Sequence, residues 1–219
     1  MVNRFCEFFE QWKRFTNDVP YDLAVPPFGL DYYHMTTKHA KENYQWFISI
    51  IPNRMAYFRN RCASDLKVSE CLLDYSPASL VPIWEWFIKT ARIEKTPKEE
   101  LKKMIEGAKI FGDSWICREQ FSVATRFIMR DIGIYIGESF VRNYMQLKWA
   151  YYDKPKNNVD SRQPIISGFY YKNDDYGEGE MIVNPIAMVE GVAASFFDSN
   201  PYETELFDSY IKKTLWIPD

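Results

Sequence analysis

The stretch from Ser122 to Trp149, SVATRFIMRDIGIYIGESFVRNYMQLKW, constrains the fold more than any other part of the chain. At about 100° per residue, Ala124, Ile128, Ile132, Tyr135 and Ile136 fall on one side of a helix, and Phe127, Ile134 and Val141 carry the apolar surface around it. A helix apolar on most of its circumference has to be buried. Gly133 and Gly137 lie four apart on one line. Each costs up to about 1 kcal/mol relative to Ala, and together they leave a contact face where another backbone can approach closely.

The same helix carries charge. Asp131 and Glu138, seven apart, share a face, with Arg142 one turn beyond Glu138 and Arg130 beside Asp131. Charges in so apolar a helix are rarely left unpaired. Two readings follow. In one, Asp131 and Glu138 are paired carboxylates for acid–base or metal chemistry, with Arg142 available to an anionic substrate. In the other, these side chains form an internal ion-pair cluster that fixes packing. A rise of 1.5 Å per residue separates the two Cα atoms by roughly 10 Å. That is long for carboxylates sharing a metal or flanking one bond, which favours the structural reading, although flexible side chains leave the catalytic one open.

With 219 residues, 47% of them hydrophobic and 17% aromatic, the chain can bury a substantial core as one domain, 1–219, and two domains are not required. The opening MVNRFCEFFEQWKRF alternates charge with apolar residues too closely for a secretory signal, and no apolar run is long enough to span a bilayer. The expectation is a soluble cytoplasmic protein without a membrane partner. Cys6, Cys62, Cys71 and Cys117 show no CxxC spacing and mostly sit in helical patterns, as reduced packing residues would. The net charge of −3 is unevenly spread: residues 174–219 hold ten acids against two lysines, whereas the preceding part holds twenty acids and twenty-five bases. An acidic face repels nucleic acid and attracts a basic partner, though an ordinary solvated surface accounts for it as well.

Residues 2–17 read as an amphipathic helix with a stripe of Phe5, Phe8, Phe9, Trp12 and Phe15, so that residues 1–65 form a helical part packed on the body. Val19 to Tyr33, with Pro20, Pro26, Pro27 and Gly29 among large apolar residues, reads as an ordered loop. Thr36 or Thr37 caps a helix to about Ile51, with Tyr44, Trp46, Phe47, Ile48 and Ile51 as candidate core residues. Pro52 either starts a continuation to about Arg61 or kinks one longer helix. Leu66 to Tyr75 alternates enough for a strand, with a helix as the other option. Ser76-Pro77 and Thr96-Pro97 each begin a further helix. Leu147 to Tyr152 and Pro164 to Tyr171 suggest neighbouring strands, and Met181 to Val183 adds a short one. Asn184 or Pro185 opens a helix over Ile186 to Phe197, and Glu203 to Leu215 closes the chain as another. The fold class is therefore α+β: a predominantly helical single domain with a small antiparallel sheet in the C-terminal half.

No GxSxG, Walker loop, GxGxxG, HExxH or CxxC pair is present. His34 and His39 have no acid or cysteine partners at recognised ligand spacing, so neither a metal nor a cofactor is expected. Arg54, Arg59 and Arg61, alternating with Tyr57 and Phe58, are a weak nucleic-acid signal against the net acidity. Lys154 and Lys156, near Arg162, offer an anion contact or a solvated loop.

Three segments carry a likeness: DYSPASLVPIWEWF from Asp74 to Phe87, RDIGIYIGESF from Arg130 to Phe140 with the following LKW at Leu147 to Trp149, and NPIAMVE from Asn184 to Glu190. From about residue 66 to its end the chain resembles a group of uncharacterised bacterial proteins, mostly from Gram-positive species. The resemblance implies a bacterial cytoplasmic α+β protein and transfers no site residue.

The leading expectation is a non-catalytic binding protein, an immunity or antitoxin protein that caps a cognate polymorphic toxin. Its acidic C-terminal region, with Asp198, Glu203, Glu205 and Asp208 as the partner-binding residues, suits a basic nuclease toxin. The alternative is a hydrolase-like enzyme using Asp131, Glu138 and Arg142.

Overall fold

In the computed structural model the elements run, in chain order, α1 (Thr37–Leu66), α2 (Leu80–Thr90), β1 (Ile93–Lys95), α3 (Lys98–Phe111), β2 (Glu119–Phe121), α4 (Val123–Asn143), β3 (Lys148–Tyr151), β4 (Pro164–Asn173), β5 (Gly177–Val183), α5 (Pro185–Ala193), α6 (Ser195–Asp198) and α7 (Glu205–Thr214). The structure describes residues 21–111, 116–153, 158–173, 177–198 and 201–218. The helix expected at residues 2–17, Cys6, Lys154, Lys156 and the side chain of Asp198 lie outside what is described. Helix predominates, and two small antiparallel sheets accompany it, the larger in the C-terminal half. The described residues divide into two compact units, those of 24–88 with 129–218 and those of 21–23 with 89–128.

In the larger unit α1 buries Ala40, Asn43, Phe47, Ile51, Arg54, Met55, Phe58 and Cys62, a stripe at helical spacing. The Thr36 hydroxyl accepts from the His39 N–H at its start, and Lys67, in the left-handed conformation, ends it. Pro52 lies inside one continuous helix. Of the core residues expected there, Phe47 and Ile51 are buried, Tyr44 and Trp46 half-buried and Ile48 exposed. The polar Asn43 is buried because it serves the preceding loop: it accepts from Phe28 N–H at 3.1 Å and donates to Gly29 O at 2.9 Å.

Leu66 to Tyr75 forms no strand. The left-handed turn at Lys67 stops α1, and Ser69 then caps a short 3₁₀ turn over Glu70–Leu72. Another 3₁₀ turn, Pro77–Ser79, leads into α2. Of the cysteines described, Cys62 is a packing residue, whereas Cys71 and Cys117 are exposed free thiols.

The α4 residues of this unit behave as their composition requires. Ile132, Tyr135, Ile136 and Phe140 are fully buried, and burying each such side chain contributes roughly 1.5–3 kcal/mol. Both glycines are contact points. A Cβ at Gly133 would stand 2.7 Å from Ile186 Cα, and one at Gly137 would overlap the Trp149 indole. The sheet order is β3-β4-β5, with Trp149 opposite Ile166 and Ile166 opposite Val183. At the register shift between Ser167 and Phe169, Gly168 has φ +106°, and Tyr170 N–H donates to Trp216 O at 2.7 Å. Asn184 caps α5 by accepting from the Ile186 and Ala187 N–H groups. The single helix expected over Ile186 to Phe197 is two, α5 and the short α6. Tyr210 of α7 stacks on Phe140 with centroids 4.2 Å apart.

In the smaller unit β1 pairs antiparallel with β2, Ile93 opposite Phe121, a ladder of two three-residue strands, separated in sequence by α3, that the sequence pattern had not revealed. Thr125 Oγ1 accepts from Arg92 N–H at 2.9 Å, and Ser122 Oγ accepts from Thr125 N–H at 3.3 Å, so Ser122 caps the first turn of α4.

Candidate functional site

Asp131 leaves α4 among apolar neighbours and meets Arg54 of α1. Arg54 Nε donates to both carboxylate oxygens, at 2.8 and 2.9 Å, and Nη2 donates to Oδ2 at 2.6 Å. The two side chains are 4% and 2% exposed. A buried pair this close and this well bonded is the geometry in which two charges tolerate loss of water. The second guanidinium in the region, Arg130, is also buried. Its Cζ lies over the Trp46 and Phe47 rings, 5.4 and 5.8 Å from their centroids, and Nη1 points to Ala24 O at 3.5 Å. Burial lowers its pKa, while the fields of Tyr32 and Asp131 support its charge.

Glu138 stands two turns further along α4. Oε1 accepts from the Trp149 indole N–H at 3.0 Å, and Oε2 accepts from Arg142 Nε and Nη2 at 3.2 and 3.1 Å. Arg142 in turn lies 3.9 Å above the Tyr75 ring. Two carboxylates on one helical face are thus bonded to different arginines, Asp131 internally and Glu138 near the surface. Glu138 also borders an open groove of about 560 Å³, lined with Tyr44, Gln45, Ile48, Ile51, Pro52 and Trp149. Asp131 does not line it.

A buried hydroxyl network lies beside this region. Tyr135 Oη accepts from Tyr75 N–H at 2.8 Å and bonds Ser79 Oγ at 2.7 Å. Ser139 Oγ and Asn143 Nδ2 both donate to Tyr75 O, at 2.7 and 2.8 Å. These bonds hold Tyr75 at φ +66°, a left-handed conformation that is costly for an aromatic residue. Burial pushes the Tyr135 hydroxyl up to about 12.

The acidic candidates of α7 are partly engaged within the fold. Glu203 is exposed. Glu205 accepts from Ser195 Oγ at 2.9 Å, and Asp208 accepts from Thr204 Oγ1 at 2.9 Å. Glu205 and Asp208 occupy the first turn, with Lys212 and Lys213 in the last, the arrangement that complements a helix dipole.

Arg54, Arg59 and Arg61 do not present one basic face. Arg54 is the buried partner of Asp131, Arg59 donates to Glu70 O at 3.0 Å, and Arg61 pairs with Asp65 at 2.9 Å. Arg162 is buried and donates to the Tyr33 and Met35 carbonyls. His34 pairs with Asp31 at 2.9 Å, while His39 stacks on Phe28. Among the described residues no group of three His, Cys, Asp or Glu side chains could hold a metal ion.

Sequence spacing placed Arg142 beside Glu138, but Arg54 and Trp149 escaped it as partners of the two carboxylates. Arg54 carried a signal, since it falls on the same helical stripe as Phe47, Ile51 and Phe58. Trp149, eleven residues beyond Glu138 on a strand, carried none. No protein-family model, curated protein or solved structure matches this chain.

Proposed function

We propose that this chain is a non-catalytic binding protein, and specifically a bacterial immunity protein that neutralises a cognate protein toxin in the cytoplasm. The observation that carries the binding reading is the occupancy of both candidate catalytic carboxylates. Asp131 is held by Arg54 in a dry contact, and Glu138 is held by Arg142 and Trp149. A general acid or base needs a proton-exchanging oxygen within reach of a substrate, and Asp131 is 2% exposed.

The acidic C-terminal part supports a basic partner, because complementary charge raises association rates. Glu203, Glu205 and Asp208, together with Asp198, are the residues proposed to meet it. The test is a four-site charge reversal of these positions to Lys, with capture of partners from the native cell and a neutralisation assay against any toxin recovered. Loss of capture and of protection by a protein that remains folded, with a modest fall in stability from lysines in the first turn of α7, is the expected result. Unimpaired neutralisation would end this assignment of the surface.

One observation favours the hydrolase-like alternative: Glu138 borders an open groove. An enzyme of this kind would lose turnover in Glu138→Gln and in Asp131→Asn while remaining folded.

A further inference from the structure

We infer that the groove beside Glu138 is a docking site for a lysine side chain presented by a protein partner. The inference rests on the binding reading above and gives it a second contact, separate from the α7 acids. Among the described residues lining the groove, Glu138 alone carries charge, so the groove offers a cation one carboxylate, paired with Arg142 on Oε2, in a wall that is apolar and aromatic apart from Gln45.

The chemistry of the wall selects the occupant. Ile48, Ile51 and Pro52 supply surface for an aliphatic stem, and Tyr44 and Trp149 supply rings for a cation. Glu138 is 13% exposed, so its carboxylate is reachable from the groove but mostly withdrawn from water. A carboxylate has about four lone-pair positions. Trp149 takes one on Oε1, and Arg142 takes two on Oε2. An ammonium needs one acceptor and can use what remains on Oε1. A guanidinium gains most from two coplanar acceptors, and with both Oε2 positions taken by Arg142 and one Oε1 position taken by Trp149 no free pair remains for a fork.

The Trp149 indole N–H provides the readout, because its acceptor is the atom that the lysine would share. The experiment is a proton–nitrogen NMR titration of the ¹⁵N-labelled full chain, with the Trp149 indole resonance assigned through Trp149→Phe. The probes are Nα-acetyl-lysine amide, Nα-acetyl-norleucine amide and Nα-acetyl-arginine amide. The proposal expects a saturable shift with the lysine probe, little with norleucine, a weaker response with arginine, and loss of the lysine response in Glu138→Gln.

Gln at 138 can still accept from the indole, so that variant should remain folded. Tyr44→Leu, on a half-exposed helix face, provides an independent loss of the ring contact and should weaken the lysine response. An unmoved indole resonance, an equal response to norleucine, a stronger response to arginine, or full lysine binding by Glu138→Gln would each overturn the proposal. None of these outcomes depends on the α7 acids, so failure here and failure of the toxin reading are separable.

Discussion

Replacing Asp131 by Asn tests whether its buried contact with Arg54 is an ion-pair lock. The substitution keeps shape and removes charge, leaving Arg54 without the carboxylate that accepts its Nε and Nη2 N–H groups. Both side chains are 4% exposed or less, so water cannot rescue the remaining cation. Breaking a buried pair by removing one partner costs about 3–5 kcal/mol. The upper half of that range is expected here, because buried Arg130 also loses the Asp131 field that supports its charge. Arg54→Met should cost less, since Asp131 then retains the neighbouring Arg130.

For a chain of this length 1 kcal/mol corresponds to roughly 2–4 °C in Tm, so a loss of about 4–5 kcal/mol in Asp131→Asn should lower Tm by about 8–20 °C. Thermal and urea unfolding, followed by circular dichroism, measure it. The double variant Arg54→Met/Asp131→Leu should be less destabilised than Asp131→Asn, because no buried charge of the pair is left unmatched. An Asp131→Asn protein within about 1 kcal/mol of the parent would refute the reasoning. So would a larger loss from Arg54→Met.

Gly137→Ala places a methyl group in the Trp149 ring and should destabilise by about 1–3 kcal/mol with altered Trp fluorescence. Gly133→Ala should cost at least as much in urea unfolding, because its neighbour is the Ile186 backbone and has less freedom to yield. Tyr135→Phe leaves Tyr75 N–H and Ser79 Oγ without their shared phenol, a loss of about 1–3 kcal/mol that the same unfolding curves would report. Burial raises the Cys62 thiol from 9.0 to about 12 and the Tyr135 hydroxyl from 10.0 to about 12. Both protons are held more tightly in the folded chain, so this contribution is fully present below pH 9.0 and is lost as pH rises through about 12. Urea midpoints across that alkaline window should fall, and Cys62→Ala should flatten the first part of the fall.

Periodicity made much of this protein legible. The all-round apolar pattern of Phe127 to Val141 predicts a buried helix, and the Gly133–Gly137 line predicts close contact on one face; the structure supplies Ile186 and Trp149 as the neighbours. Pairing of β3 with β4 follows from two β-branched, aromatic segments separated by a polar loop. These features depend on side chains a few residues apart along one element, which a local pattern records directly.

Other features depend on partners far away in the chain. The strand expected over Leu66 to Tyr75 is overridden by the left-handed stop at Lys67, and β1 and β2 are too short for an alternating pattern to announce them. Spacing alone placed Asp131 and Glu138 on one face and Arg142 one turn from Glu138, but not the distant partners: Arg54 is 77 residues from Asp131, and Trp149 reaches Glu138 from a strand. A sequence pattern records which side of an element is apolar. The fate of a charge on that side depends on the distance and orientation of a second group brought there by the tertiary fold, and Coulomb energy and desolvation both follow that geometry.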